Sequence, residues 1–203
     1  MKLSRKVTGT ACALGLSIAL AGPALAATIN GTPGADRLEG TTRADTISAM
    51  GGDDRVWSHG GGDEVRGGPG HDHLELGEGN DTAYTGGGND LVFGGPGNDV
   101  ISGDVGNVVI RGGPGADFLQ VSGRKANVIY GGSGQDGISV QSRGPEWVSA
   151  GDGDDLIEIH NLDDTAGRDV IRCGRGFDRV FYYLRARDET DKLVGCEDVA
   201  AED

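Results

Sequence analysis

The sequence has few of the residues that build a conventional hydrophobic core. Its 203 residues include only four Phe, two Trp and four Tyr, against 39 Gly. Only 18 Lys and Arg stand against 32 Asp and Glu, which gives a formal net charge of −14. Phosphate binding needs clustered positive charge, so this balance disfavours a nucleic-acid partner. A chain this charged and this poor in bulky groups is expected to stay disordered unless something offsets its self-repulsion.

Long apolar runs are also missing, apart from one near the start of the chain. A basic leader (residues 2–6) precedes an apolar run from Val7 to Gly22, and Ala-Leu-Ala at 24–26 ends it. This layout predicts a cleaved signal peptide over residues 1–26. A membrane anchor is the alternative, but about 16 apolar residues fall short of the roughly 20 that span a bilayer. We therefore expect a secreted chain of net charge −17 with no transmembrane segment.

A nine-residue repeat fills most of the remaining sequence. An aliphatic residue recurs every nine residues from Leu38 to Leu119. The pattern continues to Val180, with small insertions before Ile129 and Val148 and a larger one before Ile171. Aspartate stands two residues before it at Asp36, Asp45, Asp54, Asp63, Asp72, Asp81, Asp90, Asp99, Asp117, Asp136, Asp155, Asp169 and Asp178. Val108, Asn127 and Glu146 are the exceptions at this position. Such regularity indicates a repeat architecture.

Each repeat divides into a short strand and a glycine-rich turn. The aliphatic half, such as Leu91-Val92-Phe93, suits a three-residue strand whose central side chain faces inward. The glycines of the other half permit positive φ and close approach of stacked backbones. Two repeats then make one coil of about 18 residues. We expect an all-β fold, a right-handed parallel β-roll with two nonapeptides per coil.

Stacking would place the turn aspartates of alternate repeats above one another. Asp90 would lie over Asp72, and Asp99 over Asp81, at the roughly 4.8 Å spacing of parallel strands. Carboxylates that close repel unless a cation lies between them. Calcium takes six to eight oxygen ligands at about 2.3–2.6 Å from carboxylates and carbonyls, whereas Mg²⁺ demands stricter geometry. The sequence therefore favours bound Ca²⁺.

The units "GGPGHDHLE" (67–75), "GGPGNDVIS" (94–102) and "GGPGADFLQ" (112–120) resemble the hemolysin-type, or RTX, calcium-binding nonapeptide. The resemblance covers about residues 31 to 181. It implies that Ca²⁺ is held between successive turns of one edge, and that secretion into high calcium triggers folding. The metal ligands that it implies are Asp36, Asp45, Asp54, Asp63, Asp72, Asp81, Asp90, Asp99, Asp117, Asp136, Asp155 and Asp178.

The two edges of the predicted roll differ. One edge carries aspartate in every turn from Asp45 to Asp178. The other carries it from Asp36 to Asp90, then Val108, Asn127 and Glu146 before aspartate returns. We expect a full calcium ladder on the first edge and about three sites on the second, on the order of ten ions at most. Arg43 adds positive charge beside Asp45 and should weaken that site.

The C-terminal segment leaves the repeat. We divide the mature chain into a β-roll over residues 27–181 and a cap over residues 182–203. Cys173 and Cys196 are the only cysteines left after signal removal. A secreted chain favours pairing them, so we expect a disulfide that pins the cap, with two free thiols as the alternative. Solenoids need such caps over their last exposed layer.

The sequence gives little support for catalysis. His71 and His73 flank Asp72, but they occupy variable turn positions, so a zinc or copper site is disfavoured. No HExxH motif or nucleophile elbow occurs. We expect a non-catalytic calcium-binding protein, with an adhesive or glycan-binding extracellular module as the alternative. The varied outward strand positions and the isolated Trp57 and Trp147 favour the first.

Overall fold

The described part of the chain consists of strands and turns that form two parallel sheets. A computed structural model describes residues 17–18, 25–160, 168–183 and 191–202. The odd sheet contains β1 (Ser17–Ile18), β3 (Arg37–Glu39), β5 (Arg55–Trp57), β7 (His73–Glu75), β9 (Leu91–Phe93), β11 (Val109–Pro114), β13 (Val128–Ser133), β15 (Trp147–Asp152), β17 (Val170–Arg175) and β19 (Lys192–Val194). The even sheet contains β2 (Thr28–Asn30), β4 (Thr46–Ser48), β6 (Glu64–Pro69), β8 (Thr82–Gly87), β10 (Val100–Gly103), β12 (Phe118–Gly123), β14 (Gly137–Ser142), β16 (Leu156–His160), β18 (Arg179–Tyr183) and β20 (Asp198–Glu202). Within these ranges the structure has no helix long and apolar enough to cross a membrane.

The strand order shows how the chain winds. Neighbours within each sheet are two strands apart in sequence, so successive strands alternate between the sheets and one coil contains two strands and two turns. Paired residues are 18 apart in the early coils, as with Val56 and Leu74. They are 19 apart across a one-residue insertion, as with Ile110 and Ile129. This topology confirms the predicted parallel β-roll.

The repeated aliphatic side chains form the core between the sheets. From Leu38 to Val180, every residue on the nine-residue pattern is at most 1% exposed. Side chains of a strand alternate between its two faces, so the flanking residues point outward. Full burial of one Val, Leu or Ile side chain stabilises the fold by roughly 1.5–3 kcal/mol. A core one residue thick is therefore sufficient because it is repeated in every coil.

A second apolar column, which the nine-residue pattern does not predict, lies inside the C-terminal half. Val121, Val140, Ile159 and Tyr182 are buried two residues after the repeated aliphatic residue in β12, β14, β16 and β18. Glycine or another small residue fills this position in the earlier even strands, as at Gly67. Larger side chains consequently fill this position of the even sheet in the C-terminal coils.

The two ends of the chain extend the sheets. In the segment predicted as a cap, β19 and β20 each add one more parallel strand. The predicted disulfide is confirmed: Cys173 and Cys196 are bonded, with Cα atoms 5.2 Å apart. At the other end, β1 pairs with β3. Of the predicted signal peptide, only residues 17–18 and 25–26 lie within the described ranges.

Candidate metal centre

Two rows of side chains run along the edges of the roll, each member standing directly before a strand. The continuous row precedes the even strands and contains Asp45, Asp63, Asp81, Asp99, Asp117, Asp136, Asp155 and Asp178. The interrupted row precedes the odd strands and contains Asp36, Asp54, Asp72, Asp90, Val108, Asn127, Glu146 and Asp169. Every member of both rows is at most 3% exposed. Buried carboxylates in such number need partners.

In the row aspartates after Asp36, one carboxylate oxygen is satisfied by the backbone of the preceding coil. The Asp81 N–H donates to Asp99 Oδ1 at 2.9 Å, and the Asp99 N–H donates to Asp117 Oδ1 at 2.8 Å. The same bond repeats along the continuous row from Asp45 to Asp178, where the Asp178 N–H donates to Glu197 Oε2 at 3.0 Å. In the aspartates from Asp63 to Asp178, these bonds fix one carboxylate oxygen and leave the other available.

The second oxygen of most row aspartates is buried and has no hydrogen-bond partner. This holds for Oδ2 of Asp54, Asp63, Asp72, Asp81, Asp90, Asp99, Asp117, Asp136, Asp155 and Asp178. Seven of these oxygens lie on the continuous row and three on the interrupted row. An unpaired buried polar atom costs about 1–3 kcal/mol, and more when it is charged. A native fold would not keep ten such atoms without a partner of opposite charge.

Backbone carbonyls face these unpaired oxygens across the turn glycines. A Cβ atom at Gly67 would lie 2.5 Å from both Asp72 Oδ2 and the Thr85 carbonyl oxygen of the next coil. Glycine therefore leaves open the space that carboxylate and carbonyl share. No three His, Cys, Asp or Glu side chains of the described ranges converge on one point. One carboxylate per turn together with carbonyl oxygens is a hard, all-oxygen donor set, which fits Ca²⁺.

The interrupted row changes character at Val108. With no carboxylate there, the Asp90 N–H donates to the Asn107 carbonyl oxygen at 3.2 Å. The side-chain bonds then resume, since the Val108 N–H donates to Asn127 Oδ1 at 3.0 Å. Val108 is fully buried, and a Cβ at Gly103 would lie 3.1 Å from Val108 Cγ1 and 3.3 Å from Val121 Cγ1. Apolar packing therefore replaces paired carboxylates at this point of the edge.

The first turn of each edge is closed by threonine. Asp36 Oδ2 accepts hydrogen bonds from the backbone N–H of Thr32 and from its hydroxyl, the latter at 3.0 Å. Asp45 Oδ2 accepts one from the Thr41 N–H. The structure thus brings Asp36 and Asp45 into the rows but gives their second oxygens protein partners. The repeat does not predict these contacts, and the one signal for them in the sequence is a threonine at a glycine position of the motif in both turns.

Burial is the main influence on the row carboxyl groups. Desolvation raises the pKa of Asp54, Asp99 and Asp136 to about 7 and that of Asp63, Asp72 and Asp155 to about 6. The backbone hydrogen bond to Oδ1 lowers these pKa values, and neighbouring row carboxylates raise them. Desolvation likewise raises the pKa of Asp81, Asp90, Asp117 and Asp178. Without a cation, the ionised rows therefore oppose folding.

Further members of the rows lie where the repeat weakens. The Glu146 N–H donates to Asp169 Oδ1 at 2.8 Å, and the Asp169 N–H donates to Asp191 Oδ1 at 3.0 Å. Glu197 ends the continuous row. Asp191 and Glu197 each stand two residues before an aliphatic side chain, Leu193 and Val199. That spacing was the available sequence signal, but irregular intervals concealed it.

An outer ladder of hydrogen bonds accompanies the rows, one residue earlier in each turn. The Asn98 N–H donates to Asn80 Oδ1, and the Ala116 N–H donates to Asn98 Oδ1, both at 2.8 Å. On the other edge, the Asn89 N–H donates to His71 Nδ1 at 2.8 Å. These bonds run from the later coil to the earlier one, opposite to those of the rows. His71 therefore serves the turn backbone.

The comparison with known families agrees with this geometry. The model of the RTX calcium-binding nonapeptide repeat, four copies long, matches residues 30–65, 58–92, 66–101, 93–120 and 121–139. Together these matches cover more than half of the chain. The chain belongs to the RTX calcium-binding repeat family. A search of curated proteins returned no match.

The RTX matches contain most, but not all, of the unpaired carboxylates. Eight of the ten lie within residues 30–139. The other two, Asp155 and Asp178, lie beyond the matched residues and have the same geometry. The RTX pattern therefore continues structurally past the point where the family's sequence signal ends.

Proposed function

We propose that this RTX protein is a secreted, non-catalytic β-roll that folds when it binds external Ca²⁺. The observation that carries the proposal is the set of ten buried carboxylates, each with one oxygen held by the preceding coil and the other unpaired. Calcium supplies the compensating charge that those oxygens lack. A folded, calcium-loaded roll is then the working form of the protein.

The unpaired oxygens also suggest which aspartates bind the metal. Seven consecutive aspartates, from Asp63 to Asp178, would form a ladder on the continuous row, and Asp54, Asp72 and Asp90 a shorter one on the interrupted row. The stoichiometry is then on the order of ten ions at most. Asp36 and Asp45 contribute less, because threonine already occupies their second oxygens.

Secretion and the absence of catalysis rest on separate features. The basic leader and the apolar run of residues 1–26 favour export, and the Cys173–Cys196 disulfide suits an oxidising compartment. This proposal assigns the row carboxylates to metal binding, and the repeat contains no HExxH motif or nucleophile elbow. These features together support a binding role.

Calcium titration of the mature chain tests the proposal. In chelator at pH 7.5 we expect a largely disordered circular dichroism spectrum, and millimolar Ca²⁺ should produce cooperative β structure. Equal Mg²⁺ should not reproduce this change. Identical spectra in chelator and in calcium would rule out coupled folding. Calorimetry under folding conditions should count more than five ions, and a count of one or two would contradict the ladder.

A further inference from the structure

The outer face of the odd sheet, from β9 to β19, carries no acidic side chain at the first and third residues of its strands. From β9 to β19, the first residues of the strands are Leu91, Val109, Val128, Trp147, Val170 and Lys192. The third residues are Phe93, Arg111, Tyr130, Ser149, Arg172 and Val194. The residue between them in each strand points into the core, so all twelve face outward. In a chain with 32 Asp and Glu this face is unusual.

The arginines of this face are stacked on aromatic rings. The Arg111 guanidinium carbon lies 5.4 Å from the centre of the Phe93 ring and 5.2 Å from that of Tyr130. The Arg172 guanidinium carbon lies 4.8 Å from the centre of the Trp147 ring. Trp147 is therefore in contact with a neighbouring strand, although it looks isolated in the sequence. Neither arginine forms an ion pair within the described ranges. A stacked guanidinium keeps its edge N–H groups available for bidentate binding of an anion.

The adjoining turns add more positive charge. Arg124, Lys125, Arg143 and Arg168 lie in the turns that lead into β13, β15 and β17. Arg124, Lys125 and Arg168 are exposed, whereas the acidic residues of these turns that the structure describes, Glu146 and Asp169, are at most 3% exposed. The turn before β17 also contains Asp163 and Asp164, which lie outside the described residues. The basic turns therefore coincide with the part of the interrupted row that lacks paired aspartates. Together with Arg111, Arg172 and Lys192, they form what we call the basic face.

We propose that the basic face binds a linear acidic polysaccharide. Charge complementarity selects an anionic partner, because this surface is positive on a strongly negative protein. The partly exposed rings of Phe93, Tyr130 and Trp147 provide apolar surface for sugar rings beside the arginines that stack on them, and the arginines provide bidentate contacts for carboxylate or sulfate groups. The face runs across six neighbouring strands, which suits an extended polymer. The proposal depends on the proposed function only in requiring a folded roll.

The proposal is tested by measuring the binding of three dextrans of equal length to the calcium-loaded protein. One dextran is sulfated, one is carboxymethylated and one is neutral. We expect calorimetric binding of at least one anionic dextran, with affinity falling as salt rises, and none of neutral dextran. The double variant Arg111→Glu/Arg172→Glu should lose at least tenfold in affinity. The matched control Arg37→Glu/Arg55→Glu changes two exposed arginines of the same sheet outside the face. It should lose less than twofold.

Circular dichroism in calcium separates loss of binding from loss of fold. Failure to fold in calcium would overturn the proposed function, whereas a folded roll that binds neither anionic dextran would overturn the basic-face proposal alone. Equal losses in the two double variants would show only general charge attraction and would also overturn it. If a variant misfolds, Tyr130→Ser replaces it and should lower the affinity at least threefold. Preferential binding to anionic lipid vesicles or single-stranded DNA would assign the face to a different partner and refute the proposal.

Discussion

Replacement of Asp99 by asparagine should have opposite effects with and without calcium. The amide oxygen of asparagine can still accept the Asp81 N–H, which Asp99 Oδ1 now accepts at 2.9 Å. The unpaired, anionic Oδ2 becomes a neutral amide nitrogen. The substitution therefore removes the charge of one row member while it preserves the hydrogen bond that stacks the coils.

The size of the calcium-free effect follows from the pKa of Asp99. Burial raises this pKa from 3.8 to about 7. At about 1.36 kcal/mol per pKa unit, ionised Asp99 destabilises the calcium-free roll by roughly 4 kcal/mol at pH 8. A buried, unpaired amide nitrogen costs about 1–3 kcal/mol. Asp99→Asn should consequently stabilise the calcium-free roll by about 1–3 kcal/mol.

In calcium the same substitution should weaken metal binding. Asp99 lies between Asp81 and Asp117 on the continuous row, so losing its anionic oxygen should remove one or two ions from the calorimetric count. Calcium-free stability can be read from the midpoint of folding induced by trimethylamine N-oxide in chelator at pH 8. Asp104→Asn, an equal charge change at an exposed turn residue outside the rows, is the control. An unchanged ion count, or a calcium-free roll that needs more osmolyte, would refute the reasoning.

Three further predictions concern pH, the interrupted row and the disulfide. Burial raises the pKa of row aspartates from 3.8 to about 6–7, so the calcium-free roll should be most stable below about pH 4 and should lose stability as pH rises through 6–7. Calcium affinity should fall on acidification over the same range. Flat circular dichroism and calorimetric profiles from pH 8 to 5 would contradict this. Val108→Asp should add one calorimetric ion next to Asp90 and destabilise the calcium-free roll by about 1–3 kcal/mol, whereas Val108→Ala should destabilise without adding an ion. The double variant Cys173→Ser/Cys196→Ser should destabilise the calcium-loaded protein by roughly 3 kcal/mol, because the bond closes a loop between residues 23 apart in sequence. An unchanged midpoint of urea unfolding would show that the bond does not constrain the unfolded chain.

The fold could be predicted because its buried positions recur every nine residues and its paired strands every eighteen. The spacing of Val56 and Leu74 fixes both the buried position and the strand pairing that the structure shows. The rows follow from the same spacing, because residues 18 apart in sequence, such as Asp81, Asp99 and Asp117, lie on one edge of the roll. The repeat alone therefore predicts the strand pairing and the two rows.

Other features depend on which side chains meet across coils, and the repeat does not encode them. The threonine contacts to Asp36 and Asp45 require knowledge of how each turn closes. The second apolar column appears as scattered residues, such as Val121 and Ile159, that become neighbours only through stacking. The basic face was hidden for the same reason: successive repeats alternate between two sheets, so Arg111 and Tyr130 are adjacent in space although 19 residues separate them.

The direction of the row hydrogen bonds makes the two ends of the roll unlike. Each aspartate N–H donates to a carboxylate of the following coil, so a coil with no successor would leave its row N–H groups without an acceptor. The last coil is tied back by Cys196, and its Glu197 already presents an acceptor to Asp178. The coil of Asp169 and Asp178 therefore depends on Asp191 and Glu197 for its acceptors, whereas the coil of Asp36 and Asp45 takes its acceptors from the coil that follows it.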